Sequence, residues 1–298
     1  MEKQYPDDSD LLVLETLYGD LFNDYETVAT QLLLDRGFDE IMASLNREVA
    51  VAGVRVESPN NSSIPVIIEQ LKASGIEPEY VVSAGDVGAK TVVYFMQTHP
   101  NPGVPVEVMR AMGVEESQNE IYKGLRNAVT TGIGRTVYSE GLPAYLNYNS
   151  DFSKKYLEKQ TVSQKGFTLA VDRVNRDLEG AVNLVGMENM DLMNATLTLW
   201  DMDYRVTAHN ILLADNIHAH FSNTDEQVAF AVLGAGHEKY EKMIRGMGDV
   251  AHGMPFSSAL AYYGYNVVVV DASTRYFDEA KYQKALEKWK NSQKKKKN

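Results

Sequence analysis

Cysteine is absent from all 298 residues. That excludes disulfides, iron–sulfur clusters and thiolate metal sites, so any bound metal must draw on His, Asp, Glu or water. A basic excess is also missing: the net charge is −12 and the pI about 5.0. Bulk nucleic-acid binding rests on neutralising phosphates and is therefore not expected. The one basic cluster, Lys294-Lys295-Lys296-Lys297, reads as a solvated, disordered tail, or as a weak contact for an anionic membrane surface. No run approaches the ~20 apolar residues a membrane span needs. The polar start Met1-Glu2-Lys3-Gln4-Tyr5-Pro6 is no signal peptide. It suits a cytoplasmic protein, and equally an exported one whose leader has been removed. Three signatures are lacking: the phosphate-binding Gly-x-x-x-x-Gly-Lys-Ser/Thr, a Gly-x-Gly-x-x-Gly after a strand, and the nucleophile elbow Gly-x-Ser-x-Gly. Nucleotide-binding and serine-hydrolase readings lose their support with them.

What remains is an ordinary globular composition, 44% hydrophobic and 23% charged. The most informative stretch is Val228-Ala-Phe-Ala-Val-Leu-Gly-Ala-Gly-His237. An unbroken apolar run of this kind predicts a strand buried on both faces, as in a parallel sheet. The glycines permit a tight turn at its exit. Four further runs predict strands: Lys90–Met96, Arg135–Ser139, Ala181–Val185 and Tyr265–Val270. Between them, helical spacing predicts helices over Ser117–Thr130 (with Ser117-x-x-Glu120 as a capping box), over 151–179 as a mostly solvated stretch, and over Leu197–Phe221. Alternation of this sort predicts an α/β fold, a mostly parallel central sheet with helices on both faces. Asp10–Leu45 and Ile64–Ser74 add helical patterns, and Val49–Val56 a possible strand. The expected organisation is a helical N-terminal extension (1–85), an α/β core (86–275), and a C-terminal helix with its lysine tail (276–298).

Strands in a parallel sheet release their C-terminal ends along one edge, where ligands bind. Four predicted strand ends carry chemistry there: His99, Glu140, Glu188 and His237. Each also has a local reading, His99 as part of a Pro-rich loop and the two glutamates as helix caps. Arg205 and His209 lie four residues apart on one predicted helix face. Arg205 could hold a carboxylate or a developing oxyanion, or simply pair with Asp201. His218-Ala219-His220 has the look of a metal dipeptide, but residues two apart on a helix point in different directions. His252 reads as an outer contact or a loop histidine. The Met187, Met190, Met193 spacing reads as core packing.

These residues carry a family resemblance. Gly234-Ala-Gly-His237, with His252-Gly-Met-Pro-Phe-Ser-Ser-Ala-Leu-Ala-Tyr-Tyr-Gly-Tyr-Asn-Val267 after it, resembles the closing motif of the TraB/Tiki group. Val93-Tyr-Phe-Met-Gln-Thr-His99, Gln118 and Val137-Tyr-Ser-Glu-Gly141 resemble the first half of the wider superfamily. That superfamily joins TraB, the Tiki metalloproteases, the erythromycin esterases and the ChaN haem-binding lipoproteins. The likeness spans roughly 88–271, and Met96 stands where the family's first motif has glycine.

The resemblance implies a hydrolase acting on a peptide or ester bond of a small molecule or peptide. A divalent metal, Mn or Zn, would be held by His99, His237 and Glu140, with Glu140 alternatively the general base. Arg205 would stabilise the oxyanion, and Glu188 would contact substrate or support the site. Its other implication is a non-catalytic protein holding haem or another planar ligand in the same cleft. The N-terminal helices could cover that cleft or form a homodimer contact.

Overall fold

The computed structural model describes residues 63–83, 89–98, 104–143, 169–188, 202–238, 255–273 and 275–297. The expected helices of Asp10–Leu45 and the segment Val49–Val56 lie outside the described residues. The described residues form seven α-helices and six strands in chain order: α1 (Ser63–Ala73), β1 (Tyr80–Val82), β2 (Thr91–Gln97), α2 (Val106–Ala111), α3 (Val114–Thr130), β3 (Thr136–Pro143), α4 (Ala170–Asp177), β4 (Asn183–Glu188), α5 (Met202–Phe221), β5 (Val228–Gly234), α6 (Phe256–Tyr262), β6 (Asn266–Asp271) and α7 (Glu279–Lys297). A single sheet runs β1-β6-β2-β5-β3-β4. Five of its strands are parallel, and β1 lies antiparallel on the β6 edge. This is the predicted α/β fold.

Apolar residues alternate across the sheet and divide the core into two layers. Val93 and Phe95 of β2, Phe230 and Val232 of β5, and Val268 and Val270 of β6 pack with α1, α3 and α4. Their neighbours Val92, Tyr94, Met96, Ala229, Ala231, Leu233, Val267 and Val269 pack with α5 and α6. The continuous apolar runs have their cause here, since both faces of each central strand are covered.

Several boundaries differ from the sequence pattern. Residues 63–82, expected in the extension, supply α1 and β1, and β1 joins the sheet. Three residues of an antiparallel edge strand are too short for periodicity to register. The helix expected from Ser117 begins at Val114, so Ser117 is no cap. Its hydroxyl instead accepts a hydrogen bond from the Thr98 N–H at the end of β2. α5 is described from Met202, the expected start at Leu197 lying outside the described residues, and β4 extends through Glu188. Among the described residues no helix is long and apolar enough to cross a membrane.

Two charged residues fix the end of the sheet opposite the site. Lys90 donates to the carbonyls of Phe221 (2.8 Å) and Thr224 (2.5 Å), placing a cation at the C-terminus of α5. Glu226, just before β5, accepts from Arg135 N (3.1 Å) and Nε (3.0 Å) and from Thr136 N (3.1 Å) and Oγ1 (2.8 Å). Gly134 must be glycine for this approach, because a Cβ there would lie 2.4 Å from the Val228 carbonyl. Glu226→Gln turns half of that acceptor into a donor facing donors. It should cost about 1–2 kcal/mol in urea unfolding, and an unmoved midpoint would show that Glu226 does not pin β3 to β5.

Candidate functional site

The connections leaving β2 and β3 lead to helices on one face of the sheet, while α6, after β5, lies on the other. In open α/β sheets such a divergence at the C-terminal edge is where ligands bind. β5 and β3 are direct neighbours, with Ser139 opposite Val232. That register puts Glu140, the next residue, beside Leu233 and Gly234. Glu140 Oε2 accepts the Gly234 N–H at 2.6 Å.

A bulge aims Glu140. The β3–β4 register shifts between Ser139 and Pro143, and Gly141 within it has φ +80°, which favours glycine. The Gly141 N–H released by the bulge is taken by Glu188 Oε1 at 2.8 Å. Glu188 is thus a buried carboxylate that holds the strand carrying Glu140.

His237 ends a 3-10 turn, Ala235–His237, directly beyond β5. Its Nε2 faces Glu140 Oε1 at 3.1 Å. Its Nδ1 faces Asn210 Oδ1 at 2.6 Å, and Asn210 Nδ2 donates to the His237 carbonyl at 3.0 Å. A carbonyl can only accept, so the Asn210 nitrogen must face it and the Asn210 oxygen must face the ring. Nδ1 therefore carries a proton, and Nε2 is the atom left for Glu140 or a ligand. Burial pulls the His237 pKa down, but the carboxylates around it, Glu140 first and then Glu188 and Glu238, together outweigh it and the net shift is upward. The Glu140 carboxylate beside Nε2 thus favours the charged form of the ring.

α5 also delivers His209. Its ring meets that of His237 edge-to-face, centroids 5.0 Å apart. Its Nε2 is buried and has no hydrogen-bond partner among the described residues. Burial, and then the neighbouring His237 charge, push its pKa down to about 4. The two rings are thus shifted in opposite directions.

Glu238 follows in the chain and lies in a second polar knot. It accepts from the Ser257 N–H (3.0 Å), the Ser257 hydroxyl and the Tyr80 hydroxyl. Burial raises its pKa, a rise that the Ser257 and Tyr80 hydrogen bonds moderate. This contact joins β1, the exit of β5 and the start of α6.

Of the sequence candidates, Glu140, Glu188 and His237 come together. His99 and His252 lie outside the described residues. Arg205 lies on α5 one turn before His209, and its side chain is likewise outside them. Met96, where the resemblance has glycine, is fully buried against α5 and α6. Met187 is core, as its spacing suggested. His218 and His220 form no metal pair: His218 Nδ1 bonds Tyr265 Oη at 2.9 Å and His220 Nδ1 bonds Tyr138 Oη at 2.7 Å. Sequence reasoning missed Asn210 and Glu238, and placed His209 only on the face of Arg205. Their signal was adjacency, Asn210 to His209 and Glu238 to His237, which gains meaning only once β3 is known to lie beside β5.

The chain matches no family model, no curated protein and no solved structure. The likeness to the TraB/Tiki group thus rests on the motif residues themselves.

Proposed function

We propose that the protein is a hydrolase that opens an ester or peptide bond at the C-terminal edge of the sheet, using Glu140 and His237 to activate water. One observation carries the reading: the His237 ring is locked by Asn210 so that Nε2 meets a fixed carboxylate. Such an arrangement does what general-base catalysis needs, holding a proton acceptor at a set position. Glu140 keeps its orientation through the Gly234 N–H, and Glu188 keeps the bulge from relaxing.

The donor set also suits a divalent ion such as Mn or Zn. With Nδ1 held by Asn210, Nε2 is the ring atom that would ligate once it gives up its proton, a carboxylate oxygen lies 3.1 Å from it, and Asn210 is the outer contact that orients a ligating imidazole. His99 would complete the set from the end of β2. A bound ion supplies Lewis acidity and a more acidic water. Arg205, on the helix that carries His209 and Asn210, would neutralise the oxyanion. The substrate is an ester or peptide whose carbonyl reaches Glu140 and His237 at the C-terminal ends of β3 and β5.

The test is hydrolysis of p-nitrophenyl acetate and of a mixed peptide library, with and without added Mn or Zn. Wild type should turn over at least one class, and His237→Ala should lose about 100-fold or more. No turnover of either class by wild type would defeat the hydrolase reading. A Soret shift on adding haem in that circumstance would point to ligand carriage in the same cleft.

A further inference from the structure

The buried Nε2 of His209 lacks a partner among the described residues. Leaving a buried polar atom unpaired costs about 1–3 kcal/mol, and such atoms in folded proteins call for an explanation, an unfilled ion site among them. The surroundings of His209 supply one. Its ring stands edge-to-face on His237 at 5.0 Å, and the residue after it, Asn210, grips His237 by both ring and backbone. Glu140 completes the group through its contact with His237 Nε2.

The spacing is informative. Two imidazoles bound to one tetrahedral ion at ~2.0–2.1 Å have ring centres roughly 5 Å apart. The two rings here already have that separation.

We propose that His209 is a third protein donor to a divalent ion bound at Glu140 and His237. The proposal rests on the reading that this pair holds an ion. Among the described residues no three such side chains yet surround one point. In the ion-free protein the Glu140–His237 hydrogen bond closes the space between the two donors. Ion entry displaces the Nε2 proton of His237 to solvent, and Nε2, the Glu140 carboxylate and His209 Nε2 turn to the ion in its place. His209 then gains the partner that it lacks.

Cobalt(II) is the probe, because its visible absorption reports both binding and coordination number. The full-length chain, stripped with chelator, is titrated with cobalt(II) and followed by absorbance and calorimetry. Wild type should bind one equivalent. His209→Ala should weaken binding by on the order of 100-fold and shift the visible band, and His237→Ala should weaken it at least as much. His209→Gln, which keeps a polar end and most of the volume, serves if the alanine variant fails to fold. Wild-type affinity and an unchanged band in a folded His209 variant would overturn the role of His209 while leaving the ion at Glu140 and His237. Absence of cobalt binding by wild type would overturn both.

Discussion

Glu140→Gln is expected to lower hydrolysis by about 10³-fold while leaving the protein folded. Glu140 does two things at once: Oε2 accepts the Gly234 N–H at 2.6 Å and Oε1 faces His237 Nε2 at 3.1 Å. Glutamine retains one oxygen, and the Gly234 N–H claims it because that donor is buried beside it. The amide NH2 is then turned toward His237. An imidazolium Nε2–H would meet it donor to donor, so the ring gives up that proton and its pKa falls from its raised value. Both changes remove the charge pair that activates water. The variant's rate and the His237 titration, followed by the ring proton shifts, should move together. A variant within a few-fold of wild-type rate, with His237 titrating as before, would mean that chemistry occurs elsewhere.

The same pair shows what a sequence can and cannot display. The alternation of apolar runs with helical spacing placed the strands, because burial on two faces leaves no room for polar residues, and it placed Glu140, Glu188 and His237 at strand ends. It did not show that β5 inserts between β2 and β3, since strand order lies in long-range pairing rather than in local pattern. Without that order, His237 and Glu140 are two residues 97 positions apart. Asn210 and His209 look like polar residues inside an amphipathic helix until β5 is known to end beneath them. Ser117 misled for a related reason. Its position three residues before Glu120 fits a cap, yet the helix began a turn earlier because Val114 could be buried, and the hydroxyl went to the end of β2. The bulge at Gly141 was equally hidden: a glycine after a strand reads as its end, whereas here the strand continues through it to Pro143.

Acid should expose the neutral ring of His209. In the ion-free protein its pKa is depressed to about 4, against 6.5 for an unconstrained histidine. Between those two values the unfolded chain binds a proton at this residue and the native chain does not, so stability falls as pH drops from 6.5 toward 4. At 1.36 kcal/mol per pH unit, the full loss is about 3 kcal/mol. Two neighbours act with the opposite sign. His237 has a raised pKa, and its contribution is present below 6.5 and lost as pH rises through the folded value. Glu238, also raised, binds its proton more tightly in the native state and so offsets part of the acid loss above pH 4.5. Comparison with a non-titrating residue at position 209 separates these effects, since both neighbours remain in each protein. Urea unfolding of chelator-treated wild type and His209→Gln from pH 4 to 7 should show wild type losing about 3 kcal/mol more than the variant across that span. Parallel stability curves would place His209 in water rather than in the core, and would remove the reason for it to seek an ion.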